Sequence, residues 1–172
     1  MTDISIDKAN RSDALRLSIL LKTVYISTYG LEGVTTEFAD FISSRFSVEA
    51  IEKCIEENPS RLLVASFKGN PVGVSELIFD SSCPIRKTRL PELSKLYVLD
   101  GFAGKGIGYL LINAVENVVA KTGAEELVLE VWKNNPKAID FYKRQGYGIL
   151  GEVDFPMETN TYVNLVMNKH LK

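Results

Sequence analysis

Leu93-Ser94-Lys95-Leu96-Tyr97-Val98-Leu99 reads as a β-run, Asp100-Gly101-Phe102-Ala103 breaks it, and Gly104-Lys105-Gly106-Ile107-Gly108-Tyr109 opens a segment of helical periodicity. In that segment Ile107, Leu110, Leu111, Ala114, Val115, Val118 and Val119 recur as one apolar stripe. Gly123 stands where a left-handed residue would end the helix. Glu126–Val131 is a second β-run. A strand, a glycine turn, a helix and another strand predict two parallel strands joined by a right-handed crossover. Glycines let a backbone approach a ligand closely, and the unpaired amides at a helix start favour an anion. Lys105 adds a positive charge. Taken alone, the turn could also be no more than a tight connection ahead of a packed helix.

Towards the N-terminus, Ile4–Lys8 is a first candidate strand. Asn10-Arg11-Ser12-Asp13 offers side-chain acceptors for a helix start, and Leu15, Ile19, Leu20 and Val24 support a helix to about Ser27. Thr35–Arg45 and Ser47–Glu57 read as two short helices, the second capped by Ser47 and stopped by Asn58-Pro59. Leu62–Phe67 and Val72–Phe79 flank the turn Lys68-Gly69-Asn70-Pro71 and predict an antiparallel hairpin. Asp80–Pro91, with two prolines and mixed charge, reads as a loop. Towards the C-terminus, Pro136–Arg144 is a helix closed near Gly146, and Tyr147–Val153 and Tyr162–Asn168 are the last strands. The fold class is therefore α/β (α+β): one domain over residues 1–172, with a mixed sheet of seven strands and helices on both faces.

Composition narrows the chemistry. A net charge of −2 lacks the basic surface that non-specific nucleic-acid binding needs. No stretch is long and apolar enough to span a bilayer, and Met1-Thr2-Asp3-Ile4-Ser5 lacks the basic and apolar parts of a signal peptide. Cys54 and Cys83 do not make a disulfide framework, so reduced thiols and a cytoplasmic location are expected. The single histidine, His170, stands two residues from the end, where a fraying, solvated tail is expected. A Ser-His-Asp triad or a zinc site built on several imidazoles needs histidine at the centre of a fold. No metal site is expected.

Two phosphate motifs fail on spacing. Gly101 to Gly106 has the P-loop interval, but Ile107-Gly108 follows where lysine and a hydroxyl are required. Gly-x-Gly-x-Gly is not the dinucleotide fingerprint Gly-x-Gly-x-x-Gly. The pattern does resemble the GNAT acetyltransferase superfamily, whose strand runs into Gln/Arg-x-x-Gly-x-Gly/Ala and a helix. Gly106 and Gly108 take the two glycine positions, and Ala103 falls at the Gln/Arg position. Downstream, Leu129-Glu130-Val131-Trp132, Asn135-Pro136-Lys137-Ala138 and Phe141-Tyr142-Lys143-Arg144-Gln145-Gly146-Tyr147 resemble the family's strand, Asn-x-x-Ala and Phe-Tyr-x-x-x-Gly-Phe. The resemblance covers Arg61 to Lys169, and its wording is nearest to PaiA-like spermidine/spermine acetyltransferases.

The resemblance implies a GNAT-type, mostly antiparallel sheet and acetyl-CoA as co-substrate. It implies main-chain contacts from Leu96, Tyr97 and Val98 to the pantetheine arm. The pyrophosphate falls to Gly104, Lys105, Gly106, Ile107, Gly108 and Tyr109. Asn135 and Lys143 join the cofactor set, although Asn135 before Pro136 is equally a helix cap. Tyr142 is implied as the acid that protonates the departing thiolate. Core packing is the competing reading. Glu92, six residues before Val98 and on the face of Ser94, Leu96 and Val98, is implied as the base. A solvated carboxylate at a strand entrance is its competing reading.

Transfer would proceed by direct attack of an amine in a ternary complex. A covalent acetyl-cysteine is disfavoured, because neither cysteine has a histidine partner. Tyr25, Tyr29, Glu32, Glu37, Phe38 and Asp40 place carboxylates beside aromatics in the helices that set acceptor choice in this superfamily. A polyamine or other small amine is the first expectation. A protein or peptide acetyltransferase, or a non-catalytic acyl-CoA-binding regulator, stands as the alternative. Homodimerisation, common in the superfamily, stays open.

Overall fold

The computed structural model describes residues 3–31, 33–58, 61–157 and 161–171. Seven strands form one sheet in the order β1-β2-β3-β4-β5-β7-β6: β1 Ile4–Lys8, β2 Leu62–Phe67, β3 Asn70–Cys83, β4 Thr88–Val98, β5 Glu126–Trp132, β6 Gly148–Pro156 and β7 Thr161–His170. The helices are α1 Ala14–Tyr29, α2 Thr36–Arg45, α3 Val48–Glu57, α4 Ile107–Ala120 and α5 Pro136–Arg144. The chain divides into two compact units, one running to Glu76 and adding Lys95–Val115, the other holding Leu77–Ser94 and the chain from Glu116 on. Among the described residues no helix is long and apolar enough to cross a membrane.

In the first unit β1, β2 and the first half of β3 pair antiparallel, with Ile4 opposite Phe67 and Val64 opposite Val74. Strand alternation then sorts the residues. Leu62, Val64 and Val74 pack with Leu17, Leu20, Leu21 and Val24 of α1, Ile42 of α2 and Ile51 and Ile55 of α3. Gly73 points the other way, and a Cβ there would meet Leu111 and Ile107 of α4. Helices therefore cover both faces in this unit. Ser47 caps α3 as expected, accepting from the Ala50 amide, and Thr35, read as the first residue of its helix, caps α2 by accepting from the Phe38 amide. Asn10 and Asp13 form a reciprocal cap on a short 3-10 turn ahead of α1.

The apolar stripe expected on α1 is rotated. Leu15 and Ile19 are 62% and 58% exposed, and Leu17 and Leu21 take the core positions beside Leu20 and Val24. The helix also runs on to Tyr29. On α4 Leu110 is exposed and Ile112 is buried instead.

In the second unit β5, β7 and β6 pair antiparallel, and β4 pairs β5 in parallel with Glu92 opposite Val128 and Leu93 opposite Leu129. The expected loop Asp80–Pro91 is in fact a hairpin. β3 continues to Cys83, β4 begins at Thr88, and only the turn between them is irregular. Lys87 takes a left-handed φ of 53° and its amide donates to Cys83 O at 2.9 Å. Arg89 reaches across to Asp80 at 2.7 Å. Charge misled here because the arms are solvated and tied by that ion pair. Cys83, expected in a loop, is buried with Val128 and Val166. His170 is exposed but not frayed, since it sits in β7 opposite Glu126. Gly123 and Gly146 adopt φ of 82° and 89° after α4 and α5, as their placement required.

Candidate functional site

The first unit holds the expected strand and the glycine turn. Leu96, Tyr97 and Val98 are the last three residues of β4, all half-buried. After a 3-10 turn at Asp100–Phe102, Gly104 and Gly106 take φ of 74° and 80°, and α4 begins at Ile107. A Cβ on either glycine would meet nothing within 4 Å, so backbone sign and not crowding demands glycine there. Open space beside the first amides of a 14-residue helix fits a phosphate-bearing ligand. Ile107 is buried and anchors the helix, while Gly108 and the exposed Tyr109 occupy its first turn. Lys105 donates to Gly101 O at 2.9 Å and lies 4.9 Å from the Phe102 ring, which keeps its charge at the turn. Ala103 has an extended backbone and offers no polar side chain.

Beneath that strand lies an ion network the sequence reading missed. Glu76 on β3, only 4% exposed, accepts from Lys95 of β4, from Arg61 at 3.0 Å and faces Arg45 at 3.6 Å. Burial pushes the Glu76 carboxyl up, but Lys95, Arg45 and Arg61 outweigh that and hold it below its ordinary value. Burial pulls the Lys95 ammonium down despite Glu76. Cys54 lies 4.0 Å from the same carboxylate, and burial raises its thiol, which makes it a poor nucleophile.

The expected acceptor residues of this unit form an aromatic cluster. Tyr25 lies 4.4 Å from Tyr29, 5.7 Å from Phe38, 5.6 Å from Phe41 and 6.2 Å from Tyr97, centroid to centroid. Burial raises the Tyr29 phenol, against a hydrogen bond with Tyr97. Glu37 is half-buried and Asp40 exposed, and Glu32 lies outside the described residues.

In the second unit Asn135 caps α5, its Oδ1 accepting from the Ala138 amide at 3.2 Å with Pro136 at the first helical position. Tyr142 is 7% exposed, with its ring 5.3 Å from Phe141 and 5.9 Å from Tyr147. Lys143 is exposed on the same helix. Glu92 is half-buried on β4 and accepts from the Ser81 hydroxyl of β3. Here a second carboxylate appears. Glu130 follows Val128 on β5 and therefore shares the face of Glu92, and it accepts from Asn164 Nδ2 at 3.2 Å. Burial raises its carboxyl, the Asn164 bond opposes this, and the charge of Glu92 adds to the rise. The family resemblance points to Glu92 and alternation gives its face, but pairing Glu130 with it needs the β4–β5 register. Among the described residues no group of three or more His, Cys, Asp or Glu could hold a metal.

The Acetyltransferase (GNAT) family pattern matches residues 28–147. This chain belongs to the GNAT acetyltransferase family. As a GNAT protein it is an N-acetyltransferase, with acetyl-CoA as its acetyl donor. An uncharacterized N-acetyltransferase of Mycobacterium tuberculosis is 29% identical over 133 residues, covering 77% of this chain and 81% of its own. The GNAT fold is reproduced by the PaiA N-acetyltransferase of Thermoplasma acidophilum, solved with coenzyme A: TM-score 0.76, 21% identity, 98% and 99% of the two chains. A ribosomal-protein-alanine N-acetyltransferase from Brucella melitensis superposes with TM-score 0.76 at 19% identity over 97% and 99%. Those two likenesses speak to the fold.

Proposed function

We propose that this GNAT enzyme acts as one domain in the cytoplasm and acetylates a small primary amine, a polyamine first, by direct attack in a ternary complex. The observation that carries the reading is the left-handed, unobstructed turn Gly104–Gly106 opening α4 straight after β4. Its amides and the Lys105 ammonium hold the pyrophosphate, with Ile107, Gly108 and Tyr109 completing the cradle. Leu96, Tyr97 and Val98 supply main-chain partners for the pantetheine arm. Asn135 and Lys143 add side-chain contacts. Ala103 removes one such contact, and the backbone carries that share of the binding.

An amine arrives as an ammonium ion and must lose a proton before it can attack. Glu92 is the residue for that step, already fixed by Ser81. Tyr142 donates a proton to the departing thiolate from a buried position, where a developing charge is poorly solvated and a phenol counts for more. Tyr25, Tyr29 and Phe38 beside Glu37 suit the methylene and ammonium groups of a polyamine.

The test is CoA release from acetyl-CoA with spermidine, spermine, small amines, amino acids and basic peptides. Polyamine turnover is expected, falling about 10²–10⁴-fold in Tyr142→Phe, the range of a lost general acid. Turnover with peptides alone would remove the polyamine reading. Unimpaired turnover in Tyr142→Phe would remove the acid. Acetyl-CoA binding without turnover of any amine would leave a regulator that senses acyl-CoA.

A further inference from the structure

Tyr147 stands where the family wording has phenylalanine, and its extra hydroxyl is not idle. The ring is 3% exposed, at the start of the chain leaving α5 for β6. Its hydroxyl donates to Glu116 Oε1 of α4 at 3.1 Å. Lys169 of β7 donates to both oxygens of the same carboxylate, at 2.8 and 2.7 Å. The Lys169 ammonium also lies 5.7 Å from the Tyr147 ring centroid. Three elements of the second unit thus converge on one phenol.

We propose that Tyr147 is a positioning residue for Tyr142, a ring fixed from behind by Glu116 and Lys169 and pressed edge-on against the acid. This rests on the reading of Tyr142 as the proton donor. Two contacts join the tyrosines directly: the Tyr147 amide donates to Tyr142 O at 3.1 Å, and their rings meet at 5.9 Å and 62°. A phenylalanine at 147 would keep the ring contact and lose the tether. The ring could then rock, and Tyr142 with it.

The electrostatics keep the roles of the two phenols apart. The charged and titratable groups facing Tyr147 are Glu116 from α4, Lys169 from β7 and Tyr142 from α5. Glu116 and Lys169 neutralise each other, so the buried site carries no net charge. Burial first, then the Glu116 carboxylate and the Tyr142 phenol, push the Tyr147 phenol well above its ordinary range. Its proton is engaged in the hydrogen bond to Glu116. Tyr147 therefore does not act as the acid itself. It holds one in place.

The experiment compares Tyr147→Phe with the parent enzyme. A displacement of about 1 Å at a reacting group costs up to about 10²-fold in rate. The expected result is a tenfold or larger fall in kcat with the acetyl-CoA KM and the CoA affinity by calorimetry within about twofold, the signature of an interaction that acts only on the chemical step. A merely structural tyrosine would lower the melting temperature and leave kcat where it was; that result overturns the inference. Full activity in Tyr142→Phe would overturn it too, through the acid reading and not through Tyr147. The larger fall in Tyr142→Phe, about 10²–10⁴-fold, should not deepen when Tyr147→Phe is added, which is the expected non-additivity.

Discussion

Gly73→Ala tests the joint between β3 and the proposed cofactor cradle. The backbone at Gly73 lies in the ordinary range, so only space is at issue. An added Cβ would stand 3.1 Å from Leu111 Cδ1, 3.1 Å from the Tyr97 carbonyl oxygen and 3.3 Å from Ile107 Cγ2. The Leu111 methyl can rotate away. Tyr97 O is main chain and Ile107 is buried at the head of α4, so neither yields freely. Forcing a methyl into such a contact costs about 1–3 kcal/mol. For a chain of this size each kcal/mol lowers Tm by about 2–4 °C, so a fall of about 2–12 °C is expected. The atoms that give way belong to both segments proposed to hold acetyl-CoA, and its KM should rise as well. Gly69→Ala is the matched control. Its φ of 76° and open surroundings make it a pure backbone-strain substitution at the β2–β3 turn, costing about 1–2 kcal/mol. Thermal melting and acetyl-CoA saturation curves of the three proteins decide the matter. Parent-like melting of Gly73→Ala would refute the contact argument. Equal KM values in Gly69→Ala and Gly73→Ala would refute the link from Tyr97 and Ile107 to the cofactor.

Removing one partner from the buried ion network should be asymmetric. Glu76→Gln strands Lys95, Arg61 and Arg45 without their shared carboxylate and should cost about 3–5 kcal/mol in a denaturant melt, more than Lys95→Met, which leaves Glu76 two guanidinium partners. Because the folded Glu76 carboxyl is held below its ordinary value, its contribution is present above the ordinary glutamate range and lost as pH falls through the folded value. The acid-side slope of Tm against pH should therefore flatten in Glu76→Gln, and an unchanged slope would count against the network. Glu130 carries the opposite sign. Its raised carboxyl gives stability that is complete below the ordinary glutamate range and lost as pH rises through the folded value. Glu130→Gln should thus gain on the parent in Tm at neutral pH relative to pH ~4, and a difference independent of pH would show that no such strain exists.

How much of this was legible in the sequence follows from the range of each interaction. Caps and left-handed glycines are local, so Ser47, Asn135, Gly123 and Gly146 all act where their neighbours in sequence said they would. Long periodic segments also read through, down to β1, β2, α3 and α5. The α1 stripe did not. Leu15, Leu17, Ile19, Leu20 and Leu21 offer two overlapping apolar faces, and only packing against Val64, Val74 and Phe46 selects one of them. Asp80–Pro91 failed for a related reason: strand propensity reads polar arms as loop, while Asp80 and Arg89 pair across the turn and Pro91 gives up only one ladder donor.

The same logic divides the site. The glycine turn and the Asn135-to-Tyr147 segment are runs of contiguous residues, so the turn is legible from its spacing and the second segment from its resemblance to the GNAT motifs. Glu130 beside Glu92, Glu76 beneath Lys95 and Glu116 behind Tyr147 are pairs made by register and crossover, separated by 38, 19 and 31 residues in the chain. Single residues in such pairs look like ordinary surface charge until the partner is known. Burial turns each into a constraint, because a carboxylate removed from water must find a proton, a cation or a donor. Here the three carboxylates make three different choices: Glu130 a raised affinity for its proton, Glu76 an ammonium and guanidinium groups, and Glu116 an ammonium and a phenol. Burial strengthens the hold of the Glu130 carboxyl on its proton. With Glu92 on its face, an ammonium arriving at that surface meets one carboxylate fixed by Ser81 and another whose proton affinity rises while its neighbour is charged. Glu92→Gln should accordingly lower the Glu130 carboxyl towards its ordinary range. Carboxylate NMR titration of the two proteins reads that shift directly, and the same Glu130 midpoint in both would separate the two residues.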